Sequence, residues 1–235
     1  MSISTQAAQH NGVCTWGFSQ ANFSTWKHYR TSGICAALSA HWIKYHADDD
    51  SLANHLGSGG MGNLVVTKLK EIAKDHKDMS KKGAEQKDNI ERWLHNHGIR
   101  TLHKNLVKSF PINRNGETKM TSKASSYAKE EMETGGCPNI ENDIVNALKK
   151  FNTCYVRVNF GSKKTAHAIA VWLGQPTYNS PGDACMFDPN HGEYWFQNKQ
   201  DFFQFFPGYY RSAYRKKLVN FSHEWEVIPC AKAIF

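Results

Sequence analysis

Apolar positions along the 235-residue chain change period after residue 151. Before that point the spacing is helical. Ile34, Leu38, Trp42 and Tyr45 fall on one helix face, with Thr31 or Ser32 available as cap. Val65, Leu69 and Ile72 repeat the pattern. Ile90, Trp93, Leu94 and His97 predict a third helix that Gly98 can end, and Ile140, Ile144, Leu148 and Phe151 a fourth. From Cys154 the period is two. Cys154, Val156, Val158 and Phe160 alternate with Tyr155, Arg157 and Asn159, and His167, Ile169, Val171 and Leu173 alternate with Ala168, Ala170 and Trp172. Shorter strands follow at 184–188, 193–197 and 223–228. The order predicts an α+β protein, its helical first half packed on an antiparallel sheet from the second half. Residues 113–138, poor in large apolar side chains, read as a surface insertion.

Composition narrows the class. Hydrophobic residues make up 40% and charged residues 21%, which excludes a disordered chain. No apolar stretch approaches the roughly 20 residues of a spanning helix. The first 26 residues hold no Asp, Glu, Lys or Arg. They read as an uncharged, disordered secretion leader without Sec features, ahead of one catalytic domain over 27–235. The six cysteines show neither disulfide-scaffold density nor zinc-finger spacing, so no metal site is expected. Gly57, Gly59 and Gly62 match a dinucleotide fingerprint, but Asp48, Asp49, Asp50 and Ser51 before them make no strand.

The formal charge of +8 favours a polyanionic partner. Lys149, Lys150, Lys163, Lys164, Arg211, Arg215, Lys216 and Lys217 are candidates to bind an inositol polyphosphate activator or an anionic lipid headgroup, against the plainer reading of a solvated lysine surface. Nucleic acid is not expected. The run Phe202, Phe203, Phe205, Phe206, Tyr209 and Tyr210 reads mostly as core, with part available to line a substrate groove.

Three residues carry candidate chemistry. Cys35 follows Gly33 at the predicted start of a helix, where the helix dipole favours thiolate. His167 opens an otherwise apolar strand and must find a polar partner there. Asp188 ends a strand, since Pro189, Asn190, His191 and Gly192 force a turn after it. Adjacent antiparallel strands bring such a His and Asp within hydrogen-bond reach. The Asp then fixes the imidazole tautomer, and the imidazole activates the thiol.

The segments Gly33-Ile34-Cys35 through Trp42-Ile43, His167-Ala168-Ile169-Ala170 and Phe187-Asp188-Pro189-Asn190 resemble the YopT/AvrPphB family of bacterial effector cysteine proteases. The resemblance implies a papain-like fold, with Cys35 as nucleophile, His167 as general base and acid, and Asp188 as orienter. It also implies type III delivery into a host cytoplasm, action on a host protein, and no cofactor for the chemistry. Two departures stand out. Arg30 and Tyr29 occupy the positions where papain-like enzymes carry a Gln or Asn oxyanion donor. That leaves the Cys35 N–H, with Ser32, Arg30 or the Gln20/Asn22 segment as second donor. The basic chain also fits poorly beside the polybasic substrate tails that some members cut. Glutamine deamidation or acyl transfer by the same triad, and a non-enzymatic polyanion-binding role, are the alternatives.

Overall fold

In the computed structural model, residues 1–22, 34–57, 63–79, 86–102, 140–161, 166–215 and 224–232 are described. The expected insertion at 113–138 lies outside them. Seven strands form one sheet: β1 (Gly12–Trp16), β2 (Ile99–Thr101), β3 (Cys154–Gly161), β4 (Ala166–Leu173), β5 (Ala184–Asp188), β6 (Gly192–Phe196) and β7 (Glu224–Lys232). Their order is β1-β6-β5-β4-β3-β7-β2, every neighbour antiparallel. The helices are α1 (Ile3–Gln9), α2 (Cys35–Ala47), α3 (Leu52–Leu56), α4 (Asn63–Met79), α5 (Gln86–Asn96), α6 (Ile140–Leu148) and α7 (Lys199–Tyr210), the last running into a π turn at Arg211–Arg215.

The period-two pattern divides the side chains of the central strands between two cores. Val156, Val158, Ile169, Val171 and Met186 pack with α6 and α7. Tyr155, Ala170, Cys185 and Phe187 pack with α2. Each fully buried Leu, Ile or Phe contributes about 1.5–3 kcal/mol through burial, so both sheet faces are strongly covered. Helix α2 is the pivot for the site. Ala37 and Ala40 are fully buried, as is Ala170 of β4, while Ala168 is 5% exposed. Small side chains on both elements let helix and strand approach closely. Ser39 fixes the fit by donating its hydroxyl to the Ala168 carbonyl at 3.0 Å.

The expectation of a disordered leader over residues 1–26 is corrected for residues 1–22, the part that is described. Ser2 caps α1 by accepting from the Thr5 N–H, Ala7 is buried in the core, and β1 pairs with β6. Absence of charge suits a segment that packs, and Trp16 stacks on Phe187 at 5.5 Å between centroids. The first half thus lends β1 and β2 to a sheet assigned entirely to the second. Gly192, at φ +98°, is required where the β5–β6 turn passes β1, because a Cβ there would lie 2.3 Å from the Trp16 carbonyl oxygen.

Candidate active site

Cys35 is the first residue of α2. Ile34 is the N-cap and makes no side-chain capping bond; the cap candidates Thr31 and Ser32 lie outside the described residues. The first-turn N–H groups have no intrahelical partners. The Ala36 N–H is one of them and, with the Ala168 backbone, helps to lower the Cys35 thiol. Ile34 itself donates its N–H to Gln20 Oε1 at 3.1 Å.

His167 is the second residue of β4, paired with Phe160 of β3. Its Nε2–H donates to Asp188 Oδ1 at 2.9 Å, with both side chains buried. The Cys35 thiol lies close enough to the same ring for the two to shift each other's proton affinity; with Nε2 on Asp188, Nδ1 is the nitrogen left for the sulfur. Phe160 lies edge-on to the imidazole at 5.5 Å, and Tyr214 flanks it at 5.2 Å. Asp188 ends β5. Its Oδ1 also accepts the Asn190 N–H at 2.7 Å, and its Oδ2 accepts the hydroxyls of Tyr209 and Tyr214.

Electrostatics follow from this chain of contacts. Burial pushes the Cys35 thiol up, but the charge and hydrogen bond of His167 and the two backbone contacts outweigh it, leaving the thiol below its usual 9.0. Burial alone would lower His167, yet the Asp188 carboxylate and Cys35 raise it to about 10. Asp188, also opposed by burial, is held at about 2 by His167, His191 and Tyr209. The arrangement therefore stabilises the thiolate–imidazolium pair relative to the isolated groups. Cys35 as a residue is half-buried. Buried Cys154 and Cys230 are instead pushed up to about 12, and Cys185 well above its ordinary value.

The structure thus brings Cys35, His167 and Asp188 together. The basic residues are placed less informatively. Arg211 pairs with buried Glu141 at 3.0 Å, and the Lys149 ammonium lies 5.9 Å from the Phe203 ring centroid. Lys150 sits in the turn after α6. Lys163, Lys164, Lys216 and Lys217, and the Arg215 side chain, lie outside the described residues. Ser32, Arg30 and Tyr29 do too. Gln20 is described, and bridges the start of α2 to the turn after Asp188: its backbone N–H donates to Pro189 O at 2.7 Å and its Nε2 to Asn190 Oδ1 at 2.7 Å.

Sequence reasoning missed Tyr209 and Tyr214 as polar partners, and Ser39 as the tie between α2 and β4. It also missed a metal-capable group among the described residues, His41, Glu71 and Asp75, whose ligand atoms lie within 4.8 Å of one another. That group reads as structural. The Lys68 ammonium already occupies Glu71 Oε2 at 2.6 Å. His41 Nδ1 has no partner, whereas a ligating imidazole needs its second nitrogen oriented.

Residues 4–223 match the family described as Yersinia/Haemophilus virulence surface antigen, Peptidase_C58. The chain belongs to this family. The cysteine protease YopT of Yersinia pestis is 29% identical over 184 residues, 77% of this chain and 51% of that protein. YopT of Yersinia enterocolitica is likewise 29% identical over 184 residues, with the same shares covered. The chain therefore spans about half the length of the curated relatives it matches. Among solved structures, the Pseudomonas avirulence protein AvrPphB is 15% identical, with 86% of this chain and 94% of that one covered at a TM-score of 0.48. The α+β, papain-like architecture expected from the resemblance is the one this family member carries, with β1 and β2 added from its first half.

Proposed function

We propose that the protein is a thiol protease acting on a host protein, with Cys35, His167 and Asp188 as its triad. The observation that carries this reading is the His167–Asp188 hydrogen bond in the interior, with the Cys35 thiol beside the same imidazole at a helix N-terminus. The Cys35 thiolate attacks the scissile carbonyl carbon. Charge collects on the carbonyl oxygen, and the Cys35 N–H, first in α2, supplies one donor to it. The C–N bond then breaks as the imidazolium of His167 protonates the leaving amine. Neutral His167 next takes a proton from water, which attacks the thioester and frees the acid product. Asp188 holds one imidazole orientation throughout.

Delivery into a host cytoplasm is part of this proposal, supported by family membership. No described helix is long and apolar enough to cross a membrane. The test is a proteome comparison of host cells expressing wild type and Cys35→Ala. Fragments of a host protein seen only with wild type are the expected result. Glutamine-to-glutamate conversion without chain cleavage would replace the reading with deamidation. Identical fragments with Cys35→Ala would overturn it.

A further inference from the structure

Asp188 is completely buried, and a carboxylate there is stable only if its oxygens are met by donors. Four donors meet it. His167 and Asn190 take Oδ1. Two phenols take Oδ2, with Tyr214 at 2.5 Å and Tyr209 beside it. Both tyrosines are themselves buried. Burial and the nearby carboxylate push both phenols well above their ordinary values, so they stay protonated as donors.

Their meeting depends on an irregular backbone. Residues five apart on an α-helix point about 140° away from one another at 3.6 residues per turn, so Tyr209 and Tyr214 should not share a target. The chain leaves α7 through a π turn at Arg211–Arg215, and its i→i+5 closure brings residues five apart onto one side. Pro207 lies within α7 and cannot donate to the Phe203 carbonyl, which loosens the ladder just before the turn. Tyr214 also covers one side of the His167 ring. One helix end thus holds both the carboxylate and the imidazole.

We propose that Tyr209 and Tyr214 are positioning residues for the thiolate–imidazolium pair: their hydroxyls hold Asp188 Oδ2, so that Oδ1 alone faces His167 and the carboxylate stays ionised in the interior. This rests on the triad reading above. The titratable groups around Asp188 are His167 from β4, His191 from the β5–β6 turn, Tyr194 from β6, Tyr209 from α7 and Tyr214 from the π turn, with Cys35 behind His167. Loss of a phenol donor raises the proton affinity of Asp188, and a protonated Asp188 no longer supports the imidazolium.

The test is the pH profile of Cys35 alkylation by iodoacetamide, read by mass spectrometry on the full chain, with melting temperature recorded alongside. Tyr209→Phe and Tyr214→Phe keep the ring and remove one hydroxyl each. Each is expected to move the acid limb up by about one pH unit. Fluorotyrosine at either position keeps the fold and strengthens the donor, and is expected to move the limb down. A lowered melting temperature with the acid limb unmoved, or a limb indifferent to fluorotyrosine, overturns the proposal and leaves the triad standing. An ordinary thiol profile in wild type, unaltered by His167→Asn, would instead overturn the triad reading itself.

Discussion

Two buried histidines in this molecule donate to a carboxylate at nearly the same distance. His167 meets Asp188 at 2.9 Å and His41 meets Asp75 at 3.0 Å. Their surroundings separate them. The second nitrogen of His167 has a thiol to face, while His41 Nδ1 is buried without a partner. Asp188 is completely buried under four donors. Asp75 is partly exposed and takes its other bond from Trp93 Nε1 at 3.2 Å. The charge balance follows. Asp188 and Cys35 overcome burial and raise His167, whereas burial overcomes Asp75 and lowers His41. A His–Asp pair is therefore not in itself a catalytic device. The group on the second nitrogen and the completeness of the carboxylate's hydrogen bonding decide whether the imidazole carries charge.

The sharpest way to break this comparison is to remove one member of each pair. His167→Asn and Asp188→Asn are expected to cut proteolysis by roughly 10³-fold or more, the range seen when triads lose a member. His41→Asn and Asp75→Asn should leave the rate essentially unchanged while costing about 1–3 kcal/mol of stability, since each breaks the hydrogen bond that anchors the buried His41 position. Rates and denaturant midpoints on all four variants check both halves. A comparable rate loss in His41→Asn would erase the distinction.

Protonation should separate the pairs in opposite directions. His41 is depressed below 6.5 by burial, so the stability from its neutral form is complete above pH 6.5 and lost as pH falls below it. His167, raised from 6.5 to about 10, contributes stability that is complete below pH 6.5 and lost as pH rises through its folded value. Cys35, lowered from 9.0, opposes that loss. Between its lowered folded value and 9.0, Cys35 has given up in the folded chain a proton that the unfolded chain still holds, which offsets the slope from His167. Over that range the melting temperature of Cys35→Ala is expected to decline relative to wild type. His41→Gln should lessen the decline below pH 6.5. Parallel curves for wild type and Cys35→Ala would show that no proton is shared.

The smallest expected effect is at Ser39, which ties α2 to β4 through Ala168 O. Ser39→Ala should cost about 1 kcal/mol and slow Cys35 alkylation a few-fold by loosening the approach of thiol to imidazole. Unchanged alkylation with lowered stability would confine Ser39 to packing.

The sequence disclosed the part of this account that rests on periodicity and local chemistry. The helix opening on Cys35 and the strands holding His167 and Asp188 were legible because each candidate residue sits where a clear apolar period begins or ends. Residues 1–16 misled because freedom from charge, read as disorder, also suits a helix and edge strand whose Ala7 and Trp16 are buried. Helix α7 was not recognised although buried Phe202, Phe206, Tyr209 and Tyr210 recur at helical spacing opposite exposed Gln200 and Gln204, because Pro207 and Gly208 inside the run read as a break. The convergence of Tyr209 and Tyr214 was hidden by the π turn, because spacing rules place residues five apart on different faces. His41 and Asp75 lie 34 residues apart on different helices, and no local pattern links them.

The central claim is that one thiol of this chain is activated by an imidazole that a buried carboxylate holds. Site-resolved iodoacetamide labelling at about pH 6, where ordinary thiols are almost wholly protonated, tests it most directly in wild type, His167→Asn and His41→Asn. The account predicts that Cys35 is modified well ahead of Cys14, Cys154, Cys185 and Cys230 in wild type and in His41→Asn, and loses that lead in His167→Asn. Labelling of Cys35 no faster than the other thiols, or a lead that survives His167→Asn, would contradict it.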